Sequence, residues 1–191
     1  MKENTGKTKY VLLGLIAHSP QTGYTIKKAI EYQFSHFWQE SYGQIYPTLK
    51  ALVKDGLALE DSDSGDGRGQ IVYSITDAGK AELRKWLSEA PDVEKLRYEI
   101  ILKLAFGENT EPEIILGHLD DFIMRNNKHI NEMDGFMEVL EDLTKLGNDH
   151  TYTKLTAHCG KYIYTAMRDW AQEAKRIIVE REMTDYETEN S

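Results

Sequence analysis

The stretch Ser41-Tyr-Gly-Gln-Ile-Tyr-Pro-Thr-Leu-Lys-Ala-Leu-Val-Lys-Asp-Gly56 constrains this chain more than any other. Ile45, Leu49, Leu52 and Val53 recur at helical spacing and form one apolar stripe. Ser41 can accept a bond from a free N–H of the first turn, and Gly56 suits the left-handed turn that ends a helix. The opposite face carries Gln44, Tyr46, Thr48, Lys50 and Lys54, with no acid before Asp55. Amide and hydroxyl groups of this kind meet base edges, and lysines meet phosphates. Standing alone, the stretch would read as an ordinary amphipathic surface helix. Pro47 resists the helix, because a proline in a helix interior loses a hydrogen bond and clashes with the preceding turn. A late or irregular start near Gln44 would place Pro47 at the edge of the first turn.

The whole chain sets the bounds. Its 191 residues allow one domain or two small ones, and an apolar fraction of 40% supports a packed core. No run is long and apolar enough to span a bilayer, and the N-terminus lacks the apolar core of a signal peptide. Cys159 is the only cysteine, so no internal disulfide can form. These features predict a cytoplasmic protein without a membrane partner. The net charge of −9 argues against nucleic acid until the chain is divided at Pro91. Residues 1–91 hold 11 Lys+Arg and 11 Asp+Glu, whereas 92–191 hold 12 and 21, so the second half carries the whole excess. A neutral module with a local positive face is joined to an acidic one, as expected for a nucleic-acid end and a solvated partner end. The same balance also fits an acidic protein with no nucleic-acid role.

Residues 8–18 are apolar nearly all round and predict a helix buried on most sides. Gly14 within it lowers helix propensity and would permit a close backbone crossing. After Pro20 and Gly23, a second helix is expected over Tyr24–Gln33, with Ile26, Ala29 and Ile30 inward and Lys27, Lys28 and Glu31 outward. Phe34, Phe37 and Trp38 follow as a core-facing connection. The third helix is the stretch described above. Leu57–Asp61 and Gln70–Ile75 read as strands around the turn-rich loop 62–69, with Ile71, Tyr73 and Ile75 alternating on one face. Three helices and then a hairpin is the order of a winged helix-turn-helix. Arg68 stands at the tip, where a wing reaches a groove or a phosphate. Asp61, Asp63 and Asp66 partly cancel its charge and keep a solvated loop arginine open as the other reading. Thr76 caps a fourth helix running from Asp77 to about Ala90, with Leu83, Trp86 and Leu87 on one side, and Pro91 ends it.

In this order and spacing, Leu13-Gly14-Leu15, Thr22-Gly23-Tyr24, Gln44-Ile45-Tyr46-Pro47-Thr48-Leu49, Lys54-Asp55-Gly56-Leu57 and Tyr73-Ser74-Ile75-Thr76-Asp77-Ala78-Gly79 resemble the phenolic-acid-decarboxylase regulator (PadR) family of transcription factors. The resemblance implies a winged helix-turn-helix, a helical C-terminal dimerisation region, usually repression, and a small-molecule effector with phenolic acids as the name-giving case. It also implies that Tyr24 lies close to the phosphates, where the residues alone would suggest core packing. Arg97-Tyr98-Glu99-Ile100-Ile101-Leu102-Lys103-Leu104 resembles, more weakly, the family's longer virulence-activator-like branch.

In the second half, Leu96, Ile100, Ile101 and Leu104 form a helical stripe that Gly107 stops. Thr110-Glu-Pro-Glu113 reads as a capping box opening a long helix. Leu119, Asn126, Met133 and Leu140 recur every seven residues, as do Phe122, His129, Phe136 and Leu143, up to Gly147-Asn148. Asn126 and His129 either interrupt this seam or face solvent. A last helix is expected over Thr151–Met183, with Ile163, Trp170 and Ile177 seven apart and Cys159, Ala166, Met167 and Ala174 beside them. The tail from Thr184 to Ser191 reads as disordered. Two long amphipathic helices in sequence predict an antiparallel pair whose apolar edges bury against a second copy. The expected dimerisation set is Leu119, Phe122, Met133, Phe136, Leu140, Leu143, Ile163, Trp170 and Ile177.

Catalytic chemistry is not legible. His158 and Cys159 are adjacent on a helix and do not face one another, so packing is the better reading. No spacing suggests a metal site, and Gly65-Asp-Gly-Arg-Gly69 lies in a hairpin, not between a strand and a helix as a phosphate loop would. Neither a cofactor nor an enzymatic activity is expected.

The fold class is therefore mostly α. A winged helix-turn-helix of three helices and a two-stranded wing spans 1–91, and a helical dimerisation and effector domain spans 92–191. The expected function is a dimeric regulator, a repressor by the resemblance, on an inverted-repeat operator. Its DNA-contacting set is Tyr24, Lys27, Lys28, Ser41, Gln44, Tyr46, Pro47, Thr48, Lys50, Lys54 and Arg68. Aromatic walls for an effector would come from Phe37, Trp38, Trp86 and Tyr98. The alternative is a protein-interaction module, or an activator, that keeps the winged-helix fold.

Overall fold

The computed structural model describes residues 6–34, 37–38, 42–62, 70–94, 96–147 and 149–189. The chain forms two compact units, Met1–Val93 and Glu94–Ser191.

In the first unit, α1 (Thr8–His18) contributes Leu12, Leu13, Leu15 and Ile16 to the core. Gly14 faces outward and a Cβ there would meet nothing within 4 Å, so the close crossing expected at this position does not occur. A short strand β1 (Gln21–Thr22) leads into α2 (Gly23–Ala29), which passes into a π-helical turn, Ile30–Phe34, in place of one continuous helix to Gln33. Phe34 packs on the core, but Phe37 is half exposed, contrary to its core-facing assignment. Helix α3 (Tyr42–Lys54) starts earlier than Gln44 and carries Pro47 inside it. Proline has no N–H, so the carbonyl of Gly43 goes without its usual intrahelical donor there. Ile45, Leu49 and Leu52 are almost fully buried.

The end of α3 follows its sequence signal. Gly56 adopts a left-handed φ of 70°. Its N–H donates to the carbonyl of Val53 at 3.0 Å, and Leu57 N–H donates to Leu52 at 2.8 Å, the paired bonds of a Schellman turn. Leu57 is thereby used in the turn, and β2 begins one residue later, at Ala58–Asp61. β3 is Val72–Ile75, shorter than Gln70–Ile75, and Ile71 is exposed. The sheet has three strands and not two, in the antiparallel order β1-β3-β2. Tyr73 sits in the middle strand opposite Gln21 on one side and Glu60 on the other.

Thr76 Oγ1 accepts from Gly79 N–H at 3.0 Å, capping α4 (Asp77–Ser88), and donates to the carbonyl of Gly56 at 2.7 Å. One hydroxyl thus joins the end of α3 to the start of α4. Trp86 stacks on Tyr10 of α1 with centroids 4.6 Å apart, whereas Leu87, expected on the same buried side, is exposed.

In the second unit, α5 (Glu99–Ala105) buries Ile100 and half-buries Leu104, while Leu96 and Ile101 of the expected stripe are exposed. A 3-10 turn, Gly107–Asn109, leads to α6 (Pro112–Lys145). The capping box is not formed: Glu111 precedes the helix without a side-chain cap bond, and Pro112 occupies the first turn. α7 runs from Thr151 to Glu189, so the expected disordered tail is helical to Glu189. Salt bridges Asp134–Lys161 and Asp120–Lys175 set the register: fourteen residues back along α6 correspond to fourteen forward along α7, as in an antiparallel pair. The hairpin holds two apolar clusters. One contains Ile100, Ile115, Leu119, Phe122 and Ala171, and the other Met133, Phe136, Leu140 and Ala157. Asn126 lies between them on α6, buried, with Nδ2 donating to Phe122 O at 2.7 Å. His129 is partly exposed, 3.0 Å from Glu132 and stacked on Tyr164 at 4.7 Å.

Candidate nucleic-acid interface

The face of α3 opposite its buried stripe is polar. Gln44, Tyr46, Pro47, Lys50 and Lys54 are exposed and Thr48 is half-buried. Neither Lys50 nor Lys54 has an acidic partner among the described residues, so both ammonium groups are available to phosphates.

The N-terminus of α2 meets this face. Thr22 Oγ1 accepts from Thr25 N–H at 3.1 Å, and Thr25 Oγ1 donates back to the carbonyl of Thr22 at 3.0 Å, a double cap. Thr22 also pairs with Val72, which ties the start of α2 to the base of the wing. Gly23 lies directly against the ring of Tyr46, where a side chain would collide with it. Glycine at this position lets the two helices of the helix-turn-helix close on each other. Tyr73 completes the support. Burial holds its hydroxyl above its ordinary pKa, helped by the charge of Glu60 and by Tyr46. The group thus stays a neutral phenol beside the interface.

Tyr24 is exposed, contrary to the core-packing reading of the residue alone, and carries the ammonium of Lys28 over its ring at 4.8 Å. Hydrogen bonding to Tyr24 holds Lys28 above its usual pKa. Lys27 approaches Glu31 at 3.8 Å, one turn along. Tyr24, Lys28, Gln44, Tyr46, Lys50 and Lys54 therefore all lie on exposed surface of α2 and α3. Ser41 and Arg68, with the loop acids Asp63 and Asp66, lie outside the described residues. Sequence reasoning places Tyr73 on a half-buried strand but misses the contact of Gly23 with Tyr46 and the pairing of Gln21 with Tyr73. The Thr22-Gly23-Tyr24 triplet is the available signal for Gly23: it carries part of the family resemblance, but the glycine itself reads as a break between helices.

The remaining candidates sort by burial. Leu119, Phe122, Met133, Phe136 and Leu140 are buried inside the chain's own hairpin, Leu143 and Trp170 are half-buried, and Ile163 and Ile177 are exposed. Among the aromatic residues considered as effector walls, Trp86 is stacked on Tyr10, Tyr98 meets Phe122 edge-on at 6.5 Å, and Phe37 meets Phe34 edge-on at 5.8 Å. Trp38 is half-buried. Cys159 is exposed, and the ring contact recorded for His158 is with Tyr162 at 6.5 Å. Among the described residues no group of three or more His, Cys, Asp or Glu is placed to hold a metal ion, and no helix is long and apolar enough to cross a membrane.

A helix-turn-helix with an exposed amide, hydroxyl and lysine face, backed by an antiparallel wing, defines a winged-helix DNA-binding protein. Residues 12–85 match the transcriptional regulator PadR-like family, and residues 96–178 match the virulence activator alpha C-terminal family. The chain belongs to the PadR-like family of transcriptional regulators, which are not enzymes. It is 28% identical over 134 residues to the negative transcriptional regulator PadR of Bacillus subtilis, covering 69% of this chain and 74% of that one. The fold is similar to that of B. subtilis PadR in complex with operator DNA, with a TM-score of 0.79 at 24% identity, covering 89% of this chain and 96% of the other. It is also similar to the same protein in complex with p-coumaric acid, with a TM-score of 0.73 at 23% identity, covering 89% and 97%.

Proposed function

We propose that the chain acts as a dimeric repressor in the cytoplasm. α3 enters the major groove of an inverted-repeat operator, and a small aromatic acid releases the complex. Gln44, Tyr46 and Thr48 address base edges or adjacent phosphates, with Ser41 and Pro47 at the same helix end. Lys27, Lys28, Lys50 and Lys54 anchor the backbone, Tyr24 lies against it, and Arg68 anchors the wing. Residues 1–91 hold the DNA-binding function and 92–191 the dimerisation and effector functions. One observation carries the reading: the exposed face of α3 presents Gln44, Tyr46, Lys50 and Lys54 without an acidic partner for either lysine among the described residues. The operator and p-coumaric acid complexes of a relative supply the ligand classes. With no net charge on residues 1–91, specific binding rests on two-fold repetition of a modest contact surface.

The test is a titration of the full chain against an inverted-repeat duplex from its own upstream promoter and a scrambled duplex, at two salt concentrations, with and without p-coumaric acid. The expected result is salt-sensitive binding that prefers the inverted repeat and weakens with the acid. In the same assay Gln44→Ala costs about 1–3 kcal/mol on the true operator and much less on the scrambled one. Equal losses on both would make Gln44 an anchor and not a reader of bases.

A further inference from the structure

Three large apolar side chains of the second unit stand exposed around one open groove where α5 meets the start of α6. They are Leu102, Phe106 and Ile114, exposed to 63, 67 and 50%, and buried Ile115 lines the groove with them. Its polar lining comes from Lys103, Thr110 and His118. The groove holds about 350 Å³, at the lower end of small-ligand sites, which are mostly apolar with a few polar groups that fix orientation. The wall at Phe106 is held by its backbone. The N–H and the Nδ2 of Asn109 both donate to the Phe106 carbonyl at 3.1 Å, and Thr110 N–H donates to the carbonyl of Gly107 at 3.3 Å.

We infer that this groove binds an aliphatic carboxylate of medium chain length, with its chain along Phe106, Ile114 and Ile115 and its carboxylate at Lys103 and His118. The order of residues gives the direction. Phe106 and Ile114 stand beside the turn that joins the two helices, whereas Lys103 and His118 stand about one helical turn further from it on either side. Charge gives the same direction. Glu108, Glu111 and Glu113 gather at the turn and disfavour a carboxylate there. At the other end Lys103 approaches Glu99 at 3.6 Å, an exposed pair that contributes little, so its ammonium can serve a second anion. Shape selects the chain. The apolar lining offers one aromatic ring against three aliphatic side chains, so a flat aromatic ligand has a single face to stack on, while a flexible chain can follow the rest. Size sets its length. At ~30 Å³ per water-sized group, the groove takes about a dozen heavy atoms, as in decanoate. This site lies wholly within the second unit and does not depend on release of an operator by an aromatic acid.

The test is a calorimetric titration of sodium decanoate, kept below its micelle concentration, into the full chain without DNA. Lys103→Glu, Lys103→Arg and Phe106→Glu are titrated alongside. Lys103 and Phe106 are exposed, so these substitutions leave the core intact, and circular dichroism checks that helicity is unchanged. The expected result is saturable binding of one decanoate per chain. Lys103→Glu and Phe106→Glu should each weaken it by about tenfold or more, and Lys103→Arg, which keeps the cation, should retain it. Decyltrimethylammonium has the same chain with the opposite charge and should bind about tenfold more weakly or worse. Saturating p-coumaric acid should leave decanoate binding unaltered. No saturable binding overturns the proposal. Binding that either glutamate variant leaves unaltered overturns it too, because decanoate would then sit elsewhere. Equal binding of the cation overturns the carboxylate assignment, and displacement of decanoate by p-coumaric acid overturns the aliphatic one.

Discussion

The phenol ring of Tyr46 on α3 fills the space that a side chain at Gly23, the first residue of α2, would need: a Cβ there would lie 2.9 Å from Tyr46 Cζ and 3.1 Å from its hydroxyl. The position of an exposed α3 side chain is therefore set by the absence of a side chain on the neighbouring helix.

Gly23→Ala tests this relationship. The clash falls on the outer end of a half-exposed ring, which can swing away, so the melting temperature should change little. Alanine also favours the helix over glycine by about 0.8–1.0 kcal/mol in helix interiors. Operator affinity should nevertheless fall, by about as much as in Tyr46→Ala. The double variant should lose little more than either single one, because both act through the same ring. Additive losses in the operator titration would separate the two residues.

Gly79→Ala should behave in the opposite way. Its Cβ would collide with the backbone carbonyl of Leu57 and lie 2.8 Å from Ile75 Cγ1. That carbonyl already accepts from Thr76 N–H at 3.1 Å and is held between the turn after α3 and the cap of α4. Backbone cannot swing aside as a ring can. A stability loss of about 1–3 kcal/mol is expected in denaturant unfolding, from overpacking. An unchanged midpoint would show that this junction is softer than its hydrogen bonds imply.

Asn126 offers a prediction of gain. It is buried in the α6/α7 hairpin, and its recorded bond is to the carbonyl of Phe122 on its own helix. That bond holds nothing on the facing helix. Asn126→Leu would place an apolar side chain between two apolar clusters, and replacing a buried polar group in this way is nearly neutral or stabilising. The hairpin should melt at the same or a higher temperature. A clear drop would mean that the Asn126 side chain makes a further bond that leucine cannot replace.

The Lys9–Glu82 pair predicts the acid limb of stability. Lys9 Nζ lies 2.7 Å from Glu82, which also accepts from the Tyr10 hydroxyl at 3.3 Å. The Lys9 hydrogen bond holds Glu82 below its ordinary value of 4.5, and the same bond raises Lys9 above 10.5. A depressed carboxylate stabilises the fold above its unfolded pKa and loses that contribution as pH falls through the folded one. A raised lysine stabilises below its unfolded pKa and loses it as pH rises through the folded one. The wild-type chain should therefore melt above Glu82→Gln at neutral pH, with the gap closing well below pH 4.5. A gap that stays constant into acid would assign the difference to packing.

Much of the first unit was legible along the chain. The stripe of Ile45, Leu49 and Leu52, the left-handed Gly56 and the cap at Thr76 are local signals, each fixed by a short-range backbone or periodicity requirement, and each is met in the structure. Periodicity also marked α6 and α7 and the heptads that bury Leu119, Phe122, Met133 and Leu140. Tertiary structure alone decided the rest. β1 is two residues long and has no period of its own; it exists because Gln21 and Thr22 meet Tyr73 and Val72 across the sheet. Gly23 signals a break in sequence and becomes a contact only when α3 closes on α2. Ile163 and Ile177 share a heptad with Trp170, yet both stay exposed, because Ala157, Gly160 and Ala171 bring α7 close to α6 on another face. A repeat of apolar residues says that a face will be covered. What covers it depends on which side chains are small enough to let another helix approach, and only the folded chain shows that.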